Sequence, residues 1–123
     1  MKVGLTLFRV LMVIAWLAMV WISYVAIRDM GASVAVKIFF DDYNHPWRAQ
    51  FNSDFLVHLL LAMTWFLYRF KSPWKGILCA VLTWFIGSVF VLPFIFVTLA
   101  RNGGNVAALL LGDHYRVGAK TAD

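Results

Sequence analysis

Two side chains could do acid–base or ligand chemistry from inside an otherwise apolar stretch of this chain, Asp54 and His58. Four residues apart, they fall on adjacent turns of one helix face, close enough to share a proton or a bridging water. At 100° per residue, Trp47, Gln50, Asp54, His58, Leu61, Trp65 and Tyr68 lie within about 40° of one line. Ionisable groups are costly against lipid, so this stripe of polar and aromatic side chains is expected to face the interior of a bundle. Lined by Trp47, Trp65 and Tyr68, Asp54 is a candidate intramembrane acid. It could protonate an alkene and stabilise the carbocation by cation–π contact, as in a small isoprenoid- or lipid-modifying cyclase. With Pro93 as a hinge, the same carboxyl could serve a homodimeric proton-coupled transporter. His58 offers a lone imidazole that could ligate haem or a chlorophyll magnesium. The plainer reading is packing: Asp54 and His58 satisfy each other and glue helices together.

Other chemistries find less support. Ser53 is the only serine near His58 and falls on the wrong face for a hydrolytic triad, and there is no glycine-rich phosphate loop. Asp41, Asp42, His45, Asp113 and His114 could meet as a hard-metal site. Two of them lie on a tail expected to be mobile, so no metal is expected. The single cysteine, Cys79, lies in an apolar run and rules out an intramolecular disulfide. No cofactor is required by these residues.

The elements that must position Asp54 follow from composition. At 63% hydrophobic and 14% charged, the 123-residue chain is far more apolar than a soluble domain of its size. The net charge of +5 comes without a basic stripe or an aromatic-and-basic motif, which argues against nucleic acid. An all-α membrane protein with three transmembrane helices is expected, in one integral domain.

Lys2 and Arg9 precede an apolar run, so a first span is placed at 5–27, with Arg9 reaching the interface. A signal peptide would start the same way, but Trp16 and Trp21 are bulky and argue for a retained helix. Residues 28–45 form a loop with an amphipathic, interfacial stretch from Val34 to Phe40, too short to span. Asp41, Asp42 and Asn44 offer capping acceptors and Pro46 suits a first turn, so the second span runs over 46–70. Arg69, Lys71 and Lys75 mark a short basic turn. The third span runs over 74–100. In it Thr83 and Gly87 are a small pair that lets another helix approach, and Pro93 should kink the helix near Val89. The tail, 101–123, opens with Arg101, Asn102, Gly103 and Gly104, a helix stop, and 105–111 are expected to add a turn or two of surface helix.

Three spans put Lys2, Arg9, Arg69, Lys71 and Lys75 on one side and Arg28, Lys37, Arg48, Arg101, Arg116 and Lys120 on the other. The first set is packed into two short segments, and the aspartates all fall opposite it. The expected orientation in a cell inner (plasma) membrane is therefore N-terminus in, C-terminus out.

Pro46-Trp47, Asp54-Phe55, Trp65 and Tyr68-Arg69, then Ser72-Pro73-Trp74 and Gly87-Ser88, resemble a known pattern. It is that of small three-helix membrane proteins of plants and bacteria classed as domains of unknown function. A related bacterial family is similar at Pro46, Asp54, Gly87, Phe90, Leu92 and Pro93. The resemblance covers roughly residues 42–98 and departs at His58, where an uncharged residue is the rule. It implies the three-helix architecture and singles out Asp54, but names no reaction.

Three short spans rich in Trp and Phe bury little of themselves. The function expected from the sequence is a non-enzymatic subunit, or an assembly or stabilising factor, of a larger membrane complex. Its partners would be the lipid bilayer and other membrane subunits, or further copies of itself.

Overall fold

The opening apolar run contains no proline, and it forms one helix, α1 (Lys2–Met30), 29 residues long. The computed structural model describes residues 2–116. Among these, α1 is the one helix both long and apolar enough to cross a membrane, and almost none of it is buried within the chain. Gly31, at φ 80°, ends it by turning the backbone where a side chain would be strained.

The connector folds into a short helix, α2 (Ala35–Asp41), between single 3₁₀ turns at Ala32–Val34 and Asp42–Asn44. It is pinned to the next helix at three points. Asn52 donates to the Phe39 carbonyl at 3.2 Å, Arg48 pairs with Asp42 at 2.9 Å, and Tyr43 meets the Ser53 hydroxyl at 3.4 Å. The segment expected to lie between the first two helices is thus helical and packed on the second.

Pro46 sits in the first turn of α3 (Pro46–Arg69), where its missing N–H has no partner to lose. Besides Ala62, Trp65 and Arg69 in its last turns, the buried and half-buried side chains of α3 are Ala49, Asn52, Leu56, Leu59, Met63 and Phe66, with Phe70 just beyond the helix. Steps of three and four make that row a single packing seam. Ser72-Pro73 repeats the start signal, and α4 (Pro73–Ile86) runs back along this seam. The approach is close at Gly76, where a Cβ would stand 3.1 Å from the Leu67 Cα and 3.2 Å from the Phe66 carbonyl oxygen.

The third apolar segment is not one helix. At Gly87 the backbone takes φ 60° and ψ −134°, a conformation open essentially to glycine alone, and the helix stops. A new helix, α5 (Ser88–Arg101), begins at once and turns back. The reversal is evident in what it touches. Phe90 and Phe94 pack on Phe66, with ring centroids 5.7 and 4.8 Å apart, although Phe66 also faces the first turns of α4. An unbroken helix would have carried Phe90 about 21 Å beyond Gly76. The expected single crossing over 74–100 is therefore replaced by two 14-residue arms joined at Gly87. Pro93 stays inside α5 and does not break it.

The tail then closes over the end of the molecule where α1 begins and α3 finishes. Asn105 caps α6 (Val106–Leu111) through its side-chain oxygen. Met12 of α1, Leu99 of α5 and Leu109 of α6 form the buried core, with Leu5, Trp65, Leu92, Ile95 and Phe96 packed against it. Residues 117–123, expected to be mobile, lie outside the described part.

Candidate functional site

The stripe carrying Asp54 and His58 does not point into the bundle. It lies roughly 150–170° around α3 from the packing seam, and the two side chains are 60% and 70% exposed. The inward expectation assumed that polar groups mark the packed face; here α4 packs on the apolar row instead. His58 Nδ1 lies 2.8 Å from the Asp54 carbonyl oxygen and 3.5 Å from the Asp54 carboxylate. In the tautomer that donates from Nδ1 to that carbonyl, Nε2 is left free and facing outward.

The aromatic residues expected to line Asp54 go elsewhere. Trp47 is 69% exposed and stands against Phe51 in the first turns of α3. Trp65 donates from Nε1 to the Leu110 carbonyl at 3.0 Å. Tyr68 stacks on His114, centroids 5.0 Å apart and 20° from parallel. From Trp47 to Tyr68 the set spans about 30 Å of helix, too far to enclose one substrate. The outer face of α3 is therefore a surface that presents a carboxylate and an imidazole, with Trp47, Phe51 and Leu61 exposed around them.

The buried charge is Arg69, which the sequence placed only in a basic turn. It is 6% exposed. Its guanidinium stands 5.6, 5.7 and 5.3 Å from the ring centroids of Trp65, Phe70 and Phe94. It donates to the Ala108 carbonyl at 3.3 Å and is attracted by Asp113, while Nε has no partner. Asp113 in turn accepts from the Lys71 backbone N–H at 3.1 Å. Gly112, at φ 55°, packs so tightly that a Cβ there would collide with the Arg69 side chain and carbonyl. This ensemble is a clamp holding the tail onto the end of α3. Its one early signal was the Gly112-Asp113-His114 run, a turn with an acid, 40-odd residues from its partner.

The other singled-out residues divide. Thr83 is 1% exposed and donates to the Cys79 carbonyl at 2.7 Å, so it is buried in the packing as expected. Gly87 has open space beyond its Cα, and its role is the turn rather than close approach; Gly76 takes the latter. Pro93 cannot donate to the Val89 carbonyl one turn back. The Trp16 indole supplies the missing donor, Nε1 to the Val89 oxygen at 3.0 Å. Beside this bond an apolar hollow of about 240 Å³ lies between α1 and α5, lined by Met12, Val13, Trp16, Leu92, Pro93, Phe96 and Val97.

The five residues considered for a hard metal do not converge. Asp41, Asp42 and His45 lie before α3, whereas Asp113 and His114 lie against its far end. Among the described residues no cluster of three or more His, Cys or Asp side chains has metal-site spacing. Comparison with known protein families, with curated proteins and with solved structures returned no match.

Proposed function

We propose that this chain is a non-enzymatic subunit, or an assembly or stabilising factor, of a membrane complex, and that the outer face of α3 is where a partner sits. One observation carries the reading. Asp54 and His58 lie in mid-helix on a side that, among the described residues, no other element covers. At 24 residues α3 is about 36 Å long, enough to cross a bilayer core of about 30 Å beside α1. A carboxyl and an imidazole at that depth are costly against lipid, and a protein partner removes the cost. The arms α4 and α5, about 21 Å each, are too short to cross and act as a re-entrant pair. Non-helical backbone at membrane depth is tolerated where protein surrounds it, and Gly87 sits between such arms.

This arrangement changes the expected orientation. With the third segment turned back, Arg101 and Arg116 join Lys2, Arg9, Arg69, Lys71 and Lys75 at one end, leaving Arg28, Lys37 and Arg48 at the other. Asp113 also lies at the cation-rich end. That end is cytoplasmic by the positive-inside rule, so both chain ends face the cytoplasm of a multi-pass inner-membrane protein.

The cyclase and transporter readings ask for a site walled in around Asp54. The hollow between α1 and α5 is formed by other residues. Purification from native membranes by mild solubilisation, with mass spectrometry of everything bound, tests the proposal. A second polypeptide at fixed stoichiometry is expected. A lone chain carrying an isoprenoid or lipid against Asp54 overturns it in favour of the enzyme.

A further inference from the structure

The outer face of α3 carries its own complement. Its acceptor, the Asp54 carboxylate, and its imidazole, His58, stand one helical turn apart on an exposed surface. The Nδ1 contact with the Asp54 carbonyl leaves Nε2 as the outward-facing atom. We infer that the occupant of this face is a second copy of the chain, joined by reciprocal Asp54–His58 pairs across a two-fold axis along the membrane normal. The inference rests on the reading of α3 as a partner-bearing membrane helix and names that partner.

A two-fold interface requires a patch that complements itself, with residue i meeting j and j meeting i. Side chains about one turn apart on parallel helices do reach each other across a seam, as flanking charges do in coiled coils. Each Asp54–His58 pair shares one proton whichever residue holds it, so two such pairs bury no net charge. A cationic partner would satisfy Asp54 but leave the imidazole Nε2 without a complement. Trp47, Phe51 and Leu61, all exposed beside the pair, supply the apolar contact around it. Among the described residues the face is also sterically free: they pack on the seam of α3, beside its first turns as the connector does at Arg48 and Ser53, or near its last turns as the tail does.

Disulfide cross-linking of the full chain in its native membranes tests this. In a Cys79→Ala background, Leu61→Cys sits on the proposed seam, and Leu78→Cys sits exposed on α4 as the control. Oxidation is expected to give a homodimer band for the first and none for the second. Adding Asp54→Ala or His58→Ala should lower the dimer yield about tenfold, the factor for ~1.4 kcal/mol. The exchange Asp54→His with His58→Asp should restore it, which separates lost pairing from lost folding. No Leu61→Cys dimer, or a yield indifferent to both alanine variants, overturns the inference. A cross-link to a different polypeptide also overturns it and leaves the subunit reading standing. An isolated homodimer with no other protein would do the reverse.

Discussion

A guanidinium that loses water must recover its interactions from the protein, and Arg69 recovers them from three aromatic faces, one carbonyl and the field of Asp113. Arg suits this place because its plane stacks on rings while its edge donates. Arg69→Met keeps the stem but removes the charge, and should weaken tail docking by about 2 kcal/mol. Hydrogen exchange at the Ala108 and Leu109 amides would then rise roughly 30-fold; an unchanged rate would show that the tail is held by its apolar contacts alone. Gly112→Ala should cost at least about 2 kcal/mol, because a positive φ and a collision with Arg69 act together. Beyond the Gly112-Asp113-His114 run, none of this was legible beforehand. The residues that bury Arg69 come from α3, α5 and a tail about forty positions later, and no local pattern links them.

Elements were easier to read than their faces. Pro46 and the Ser72-Pro73 pair announced the starts of α3 and α4, and Gly31 is a natural stop for α1. In an apolar chain, however, lipid-facing and packed surfaces are equally hydrophobic, so the moment that betrays a core face in water is missing. That is why Asp54 and His58 did not mark the side of α3 on which α4 packs, and why Gly87 read as a small packing residue rather than a reversal. The bond from Trp16 to the Val89 carbonyl gives this scale its test. Trp16→Phe should cost about 1–2 kcal/mol by stranding the carbonyl that Pro93 leaves open. In a Pro93→Ala background the helix supplies its own donor, and the same substitution should cost about 1 kcal/mol less. A double-mutant cycle read by unfolding in detergent checks the coupling; additive effects would deny it. Gly87→Ala meets no neighbour, so any loss belongs to the backbone alone and should be about 1–3 kcal/mol.

At the scale of the molecule, one reversed segment alters the reading of every charge. As three crossings, the basic residues divide almost evenly in number, and only their density favours one side. As two long helices with a turned-back pair, they gather with the start of α1 and the tail. Reporter tags on both chain ends should be accessible from the cytoplasmic side only; a C-terminal tag reached from outside would restore the three-crossing arrangement. Among the described residues the same geometry leaves the polar face of α3 uncovered, and a carboxyl and an imidazole set against lipid call for a partner there. Most direct is the mass of the native-membrane particle for the wild-type chain and for the Asp54→Ala, His58→Ala double variant. The wild-type particle should be heavier than one chain, and the variant's mass should fall toward the monomer with the helices intact. A particle of the same mass in both, or a monomer from the start, would contradict a partner on that face.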